Sequence, residues 1–579
     1  METNMMKRRD FLKISALAGV AVVAAACTPT ATPTAAPTVA SKATEVPKAT
    51  TAATTAATAV PKATEVLKAT EKPKVGFQGE IEFYAQAYTP TSTQPNPDPK
   101  APKHEAMAML AKEWEDLHPG IKFTFFQAPA GVDYVGWLTT QLIGGTGPDM
   151  FFIQLAALNL YADQGKVVPL NDYLELPNKY TPEDKTAWKN TFKSPFITSF
   201  SPKGQWGGVP VDLVATGIYC NVDMFKSVGI DLTKEIVPEL GSPKDWATLI
   251  SWCKKLKEAG FFAFFTYSAT GEGGAGWIHR VLIDQLFWSL TPTFDKLNYH
   301  KETPMTGQEG VVNQEEVIMQ YACNNWKPFE EPATRTECEI IKDLTQYMPA
   351  GFAGEDMTIG AFDLFLQGQL AMFWDGSWSV GPIMQDDRRK FEFSSFWLPP
   401  LTKATTPLAK DPPILPIGVG GYGSLSYGIQ RKCIDKGDVD ACVDWLMYIT
   451  TPKNDEKIVN EVPSFIPSNK KAKSLPEVEN MFVGETRLVG GATIGHLWPT
   501  IAGYSSAPGW FGYADNKFND TFGREMTLYL LNEQDLDTFM AHLDAGAREE
   551  VSETIRSAAI QYSKDGSWDL TQWTCQPTV

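Results

Sequence analysis

Apolar and polar residues follow one another along most of this chain in a pattern that predicts strands and helices in alternation. GEIEFYAQAY (residues 79–88) is typical of a strand. Between Ala106 and Leu117 the apolar residues recur every three or four positions, as they do on one face of a helix. Pro119-Gly120 ends that helix, because these two residues rarely continue one. Two more strands and a helix between them follow, in the order IKFTFFQAP, VDYVGWLTTQLIGG and DMFFIQL.

The same alternation returns after residue 209. The strands predicted there are VPVDLVATGIYCN, FFAFFTY and LAMFWDG, and the helices are PKDWATLISWCKKLKEAG, AFDLFLQGQ and DVDACVDWLMYIT. Strands and helices alternating at this spacing predict an α/β fold with parallel or mostly parallel sheets and helices on both faces. The roughly 500 residues involved are enough for two cores, so we predict two α/β lobes.

The first 27 residues have the layout of an export signal. Three basic residues at positions 7–9 precede an apolar run that is too short to span a bilayer. RRDFLK at its start resembles the twin-arginine export motif, and AAAC, which ends at Cys27, resembles a lipobox in which the cysteine is lipidated. We therefore predict a signal peptide over residues 1–27 and a lipid anchor on Cys27.

Residues 28–77 consist almost entirely of Thr, Ala, Pro, Val, Lys and Glu. Such a segment buries too little apolar surface to offset the entropy lost on ordering, so it is predicted to be a disordered tether. A flexible chain of roughly 50 residues reaches about 40 Å. Leader and tether together predict an exported protein, held by lipid at the outer face of the cytoplasmic membrane, in the cell envelope or periplasm.

The charge of the chain excludes some classes of binding partner. The formal net charge is −17, and 43% of the residues are hydrophobic and 12% aromatic. The excess of negative charge argues against nucleic acid and against anionic membrane surfaces as partners.

The cysteines allow disulfides but do not define them. Of the eight cysteines, seven remain when Cys27 is set aside, and an odd number cannot all pair. Cys323–Cys338 and Cys433–Cys442 are possible disulfides in an oxidising compartment, but the sequence alone does not assign them.

Seven short motifs occur in order between about residues 80 and 550. They are PDMFFIQ, VVPLNDYL, GQWGGVPVDLVATGIYCNVDMFKSVGID, SPKDWATLISWCKKLKEAG, FLQGQLAMFWDGSWSV, GVGGYGSLSYGI and VDWLMYITTPKND. In this order they resemble family 1 of the extracellular solute-binding proteins of bacterial ABC importers, which includes many sugar binders.

The resemblance implies a type II-like periplasmic-binding-protein fold, with a ligand cleft between two lobes joined by crossing hinge segments. We expect the first lobe to comprise residues 78–208 and 356–415, the second lobe residues 209–355 and 416–555, and a tail residues 556–579. The resemblance also implies a monomer that is not an enzyme and needs no cofactor. It would capture a small solute, such as a sugar or oligosaccharide, and deliver it to ABC permease subunits in the membrane.

The family places the turn WDGSW at the mouth of this cleft. Trp374 and Trp378 are then candidates to stack on a ligand, with Asp375 accepting hydrogen bonds from its hydroxyl groups. Ser377 is expected to cap a helix that begins after Gly376. The competing interpretation is that both tryptophans belong to the core.

The remaining candidate ligand-binding residues match segments that line the cleft in the family. They are Gln86, Tyr88, Gln154, Asp212, Trp277, Gly420, Gly421 and Tyr422. Packing or a structural hydrogen bond is the alternative role for each of them. GEGGAGW (residues 271–277) also fits the G-x-G-x-x-G pattern of dinucleotide sites, but an exported protein rarely relies on a nucleotide, so no cofactor is predicted.

Motifs typical of enzymes are missing from the sequence. There is no G-x-S-x-G, no P-loop and no HExxH, and the six histidines lack the spacing of metal ligands. Two carboxylates that are remote in sequence can still act as a glycosidase pair, so an extracytoplasmic polysaccharide hydrolase is one alternative. A ligand-binding subunit of a membrane sensor is another.

Overall fold

The computed structural model of the chain describes residues 76–94, 103–129, 134–193, 204–214, 216–266, 274–290, 321, 324–352, 357–413, 426–478 and 516–548. The predicted leader, Cys27, most of the predicted tether and the predicted tail lie outside these residues. Within them, no helix has both the length and the apolar character needed to cross a membrane.

The first lobe is built on a five-stranded sheet. Its strands are β1 (Gly79–Phe83), β2 (Ile121–Phe125), β3 (Met150–Ile153), β4 (Gly208–Pro210) and β9 (Ser426–Ile429), in the spatial order β2-β1-β3-β9-β4. The first three run parallel to one another, and β9 runs antiparallel to both β3 and β4. The sheet is therefore mixed, because β9 enters from a distant part of the chain.

Helices cover this sheet and bury one continuous core. Those of the first lobe are α1 (Ala106–Leu117), α2 (Tyr134–Gly144), α3 (Leu155–Asp163), α4 (Asn171–Leu174), α12 (Lys432–Lys436), α13 (Val439–Ile449) and α14 (Pro452–Val459). The apolar face predicted for α1 is buried, with Leu110 and Trp114 fully inside. Trp114 also donates a hydrogen bond from Nε1 to Asp444 of α13, over 2.9 Å.

Helix α3 lies unusually close to the sheet because glycines face it. A Cβ atom placed on Gly207 would lie 2.0 Å from the carbonyl oxygen of Leu158, and one on Gly428 would lie 2.3 Å from the Leu158 side chain. The backbone N–H of Gly207 donates to Oδ1 of Asn159, over 3.0 Å. Only residues without a side chain allow this approach of helix and sheet.

The second lobe has a three-stranded sheet in the order β7-β6-β8. The strands are β6 (Thr216–Asn221), β7 (Met372–Gly376) and β8 (Phe393–Phe396), and all pairings are antiparallel. The described part of the predicted strand FFAFFTY, residues 261–266, forms two isolated parallel bridges, from Phe262 to Leu370 and from Phe265 to Phe373. The prediction of mostly parallel sheets is therefore wrong for this lobe, whose strands come from distant parts of the chain.

The helices of the second lobe pack on both sides of its sheet. They are α5 (Val222–Ser227), α6 (Leu232–Glu235), α7 (Trp246–Glu258), α8 (Gly274–Leu286), α9 (Pro332–Thr345), α10 (Met357–Leu366), α11 (Val380–Gln385), α15 (Pro476–Val478), α16 (Asn516–Leu530) and α17 (residues 536–548). Asp245 caps α7 by accepting a hydrogen bond from the N–H of Thr248, over 2.8 Å.

Two short strands connect the lobes. β5 (Asp212–Leu213) follows β4 of the first lobe, and β10 (Ile466–Pro467) follows α14, and the two pair antiparallel. The side chains of Leu213 and Ile466 join a small apolar cluster with residues of α10 and α11. The crossing strands are thus anchored in the second lobe at the point where they leave the first.

The order in which the chain returns to each lobe differs from the prediction. Residues 356–415 were expected in the first lobe, but β7 and β8 pair with β6 of the second. Residues 416–555 were expected in the second lobe, but β9 enters the first sheet, and α12, α13 and α14 pack on it; of the described residues in this range, Ile466 and helices α15, α16 and α17 join the second lobe. Local sequence patterns do not show which distant strand a new strand will pair with.

Candidate functional site

The turn WDGSW lies where β7 of the second lobe ends. A 3₁₀ helix, Ser377–Ser379, follows β7 at once, and α11 begins at Val380. Ser377 is not the capping residue of either helix, because Gly376 precedes the 3₁₀ helix and Ser379 precedes α11. The predicted cap at Ser377 is therefore wrong.

Trp374 belongs to the core of the second lobe. It is the third residue of β7, its side chain is 1% exposed, and it packs among buried residues of that lobe. In this arrangement the indole ring offers no face to a ligand. The core interpretation of Trp374 is the one that the structure favours.

Trp378 has a different environment, although it is only four residues further on. Its side chain is half-buried and packs against the core of the first lobe, while its chain segment belongs to the second. The ring lies over the backbone of Gly376, where a Cβ atom would meet it at 2.3 Å. The hydroxyl of Ser464 donates to the carbonyl oxygen of Trp378, over 3.1 Å. Trp378 therefore lies at the junction of the two lobes.

Asp375 holds the turn together. Its carboxylate is 2% exposed and accepts hydrogen bonds from the N–H of Gly376, over 2.8 Å, and from the hydroxyl of Ser379, over 2.5 Å. The hydroxyl of Tyr219 donates to the carbonyl oxygen of Gly376, over 2.6 Å. These bonds fix the direction in which the chain leaves β7, and so position Trp378.

Tyr88 and Asp212 join the first lobe to a crossing strand. The hydroxyl of Tyr88 donates to Oδ2 of Asp212 over 2.5 Å, and both side chains are buried. Burial and the negative charge of Asp212 raise the pKa of Tyr88 well above its ordinary value, so the phenol stays protonated and able to donate. In this structure both residues therefore have a structural hydrogen bond.

Two residues at the same junction were absent from the sequence prediction, Tyr427 and Asp455. Tyr427 of β9 donates a hydrogen bond to the carbonyl oxygen of Ala85, over 2.9 Å. Asp455 of α14 accepts one from the N–H of Asn469, over 2.7 Å, just after crossing strand β10. An aspartate in the first turn of a helix is common, because its charge interacts favourably with the helix dipole. The sequence therefore gives no sign that Asp455 is special, and only its burial in the structure distinguishes it.

Asp455 makes the junction sensitive to pH. Its carboxyl group is fully buried, and burial raises its pKa well above the ordinary value, with a further contribution from the charge of Asp212. Lys193 and the hydrogen bonds from Asn469 and Ser468 oppose this rise. The folded protein therefore binds a proton at Asp455 more tightly than the unfolded chain does.

We expect Asp455→Asn to remove part of the pH dependence of stability. With the folded pKa raised, Asp455 contributes stability at low pH that is lost as the pH rises from about 4 towards the folded pKa, by at most about 1.4 kcal/mol per pH unit. Asparagine keeps an oxygen for Asn469 and does not titrate. The melting temperature of the variant minus that of the wild type should therefore increase as the pH is raised from 4 to 8. Parallel curves would contradict this assignment.

Gln86 and Gln154 follow the carboxyl ends of β1 and β3. Because those strands are parallel, both residues lie at the same edge of the first sheet. Both side chains are half-buried. Gln86 has a left-handed backbone, with φ of +52°, and its side-chain oxygen accepts from the N–H of Ala87. The edge therefore presents polar groups beside Tyr88.

Four of the predicted residues lie wholly or partly outside the described part of the chain. Gly420, Gly421 and Tyr422 lie outside the described residues. Trp277 lies in α8, but its side chain is outside the described part of the chain. Among the described side chains, those of Cys433, Asp438 and Cys442 in the first lobe are near enough to one another to hold a metal ion.

The two lobes, each with its own sheet and core, and the crossing strands between them define a two-lobed binding protein. Residues 100–446 match the sequence profile of the bacterial extracellular solute-binding proteins. The chain belongs to this family, as the motifs predicted, and the predicted two-lobed α/β fold class is confirmed.

Comparisons with individual proteins agree with this membership. A protein of Brucella abortus, provisionally named a binding protein, is 29% identical over 318 residues, which are 50% of this chain and 71% of that protein. The structure of a family 1 extracellular solute-binding protein from Bifidobacterium longum subsp. infantis has a TM-score of 0.53 at 16% identity, covering 81% of this chain and 99% of that one. An ABC substrate-binding protein from Listeria monocytogenes, in complex with cycloalternan, has a TM-score of 0.52 at 16% identity, covering 82% and 99%.

Proposed function

We propose that this protein is the substrate-binding lipoprotein of an ABC importer and that it captures a sugar or oligosaccharide between its lobes. The observation that carries the proposal is the position of Trp378, half-buried on a turn of the second lobe and in contact with the first. A ligand bound beside this ring would touch both lobes. That contact is what lobe closure requires.

Closure of the lobes would follow from the way the ligand is shared between them. A ligand shifts a conformational equilibrium only by its difference in affinity for the two states. With Trp378 on one lobe and the polar edge around Gln86 and Gln154 on the other, the closed state would gain contacts that the open state lacks. Crossing strands β5 and β10 would then act as the hinge.

The chemistry of these groups favours a carbohydrate. A flat aromatic ring offers apolar area to the face of a sugar, while amide and carboxylate groups fix its hydroxyls. The Listeria relative was solved with cycloalternan, which is consistent with this class of ligand. The ligand-binding residues that we propose first are Trp378, Gln86 and Gln154.

The leader and tether extend the proposal to the location of the protein. We propose that lipid on Cys27 anchors the chain outside the cytoplasmic membrane and that the tether, residues 28–77, lets the binding lobes reach the permease. Mass analysis of the exported protein tests the anchor: acyl chains on an N-terminal Cys27 are expected. An unmodified cysteine, or a mature chain that begins elsewhere, would contradict it.

We expect carbohydrates, rather than other solutes, to stabilise the purified protein. The test is a melting-temperature screen of the chain from residue 28 onward, with mono- and oligosaccharides, polyols, amino acids and phosphorylated compounds. A ligand at 100 times its Kd adds about 2.7 kcal/mol to the free energy of unfolding, which is measurable as a shift.

Each outcome of the screen has a clear meaning. A shift with one class of sugar, without any product formed on incubation, supports a binding protein for that class. A shift with amino acids alone would contradict the carbohydrate assignment while leaving solute binding intact. Release of smaller sugars from a glycan would contradict the proposal of a non-catalytic protein.

A further inference from the structure

Three buried side chains that play no part in the proposed ligand site meet at one end of the first lobe. Cys433 lies in α12, Cys442 in α13 and Asp438 in the turn between them. One sulfur or oxygen atom from each lies within 4.8 Å of the others, and none of the three side chains is exposed. The two thiols are therefore neighbours inside a packed core.

The backbone of this turn fixes the two cysteines relative to each other. Gly437 has a left-handed backbone, with φ of +79°, and its N–H donates to the carbonyl oxygen of Cys433 over 2.8 Å. The N–H of Cys442 donates to the carbonyl oxygen of Asp438, over 2.9 Å. A short turn of the chain thus brings the two thiols together, and the Cys433 thiol also donates to the carbonyl oxygen of Asp149, over 3.6 Å.

The charges around the thiols leave little reason for a metal ion. The ammonium group of Lys436 lies 2.9 Å from Oδ2 of Asp438 and 2.5 Å from Oδ2 of Asp149. The ammonium of Lys432 lies 3.1 Å from Oδ1 of Asp149. Both buried carboxylates already have a cation, and a divalent ion would be repelled by two ammonium groups.

The packed interior around the thiols also disfavours charge. Burial raises the pKa of Cys442 well above its ordinary value, because desolvation penalises the thiolate. A disulfide adds no charge to this core. It is the covalent state that the surroundings accommodate best.

We propose that Cys433 and Cys442 form a disulfide in the exported protein. The inference rests on the extracytoplasmic location of the family and not on the sugar assignment. A thiolate of one cysteine attacks a donor disulfide and displaces a donor thiolate, and the second cysteine then attacks the mixed disulfide. In total, two protein thiols and one donor disulfide yield one protein disulfide and two donor thiols. The reaction takes place in the extracytoplasmic compartment, during a local opening of α13 that makes the thiols accessible.

The positions of the lysines allow a direct test. The full chain is collected from the extracytoplasmic fraction of an expressing bacterium, denatured without reductant, alkylated with iodoacetamide and digested with trypsin. Cleavage after Lys432, Lys436 and Lys453 separates the two cysteines into the peptides Cys433–Lys436 and Gly437–Lys453. We expect these peptides as one linked species, about 2 Da lighter than the sum of the two.

Cys253 supplies an internal control, since its peptide Asp245–Lys254 should carry the alkyl group. Alkylation of Cys433 and Cys442 in this digest, prepared without reductant, would overturn the proposal. So would thiols that react only after a chelator has released bound zinc, since that result would indicate a metal site.

Stability gives a second, independent readout. Reduction of the native protein should lower its melting temperature by about 5 °C, because the cross-link no longer restricts the unfolded chain. The same reductant should leave the melting temperature of the C433A/C442A double variant unchanged. An equal response of both proteins to reductant would overturn the proposal.

Discussion

Replacing Trp378 with alanine is expected to weaken ligand binding by about 30-fold, which corresponds to about 2 kcal/mol for an aromatic side chain at the centre of a contact. The ring is half-buried at the junction of the lobes, so its loss removes contact area from the closed state without opening either core. Isothermal titration with the sugar identified in the screen measures the change, and the melting temperature of the unliganded variant measures any cost to the fold.

Trp374 supplies a matched control for this variant. It is the same type of residue, four positions away, but it lies in the core of the second lobe. Trp374→Phe should lower the melting temperature while leaving the Kd unchanged, and Trp378→Phe should restore part of the lost affinity. If Trp378→Ala bound the sugar as tightly as the wild type, Trp378 would have no role in the site.

Gly207→Ala is expected to cost about 3 kcal/mol of the free energy of unfolding, and to lower the melting temperature by about 8 °C. Its Cβ atom would lie 2.0 Å from the carbonyl oxygen of Leu158, and a backbone atom of a packed helix has no way to turn aside. Moving α3 away from the sheet to relieve this clash would also strain the hydrogen bond from the N–H of Gly207 to Oδ1 of Asn159. Thermal unfolding of the two proteins measures the difference.

Gly360 is the control for that experiment. It lies in helix α10, and a Cβ atom placed on it would meet nothing within 4 Å. Gly360→Ala should therefore raise stability slightly, by about 0.5–1 kcal/mol, because alanine favours a helix over glycine. If Gly207→Ala had the same melting temperature as the wild type, α3 would not pack as closely against the sheet as the structure shows.

The local elements of this fold could be predicted from the sequence because the forces that form them are local. The spacing of apolar residues predicted α1, and its burial of Leu110 and Trp114 confirms the predicted face. Strands β1, β2 and β3 of the first sheet were predicted in the same way, and seven motifs in order predicted the family and its two lobes. Periodicity and turn residues are sufficient for such conclusions, since each concerns neighbours along the chain.

Contacts between distant segments could be decided only by the tertiary structure. The sequence did not separate Trp374 from Trp378, because both stand in one apolar run, and only the 3₁₀ turn after β7 directs one into the core and the other to the lobe junction. Nor did it show that β7 pairs with β6, or that Asp455 is buried beside Asp212. Strand pairing and the burial of a charge depend on groups far apart in sequence, whose meeting leaves no local pattern to detect.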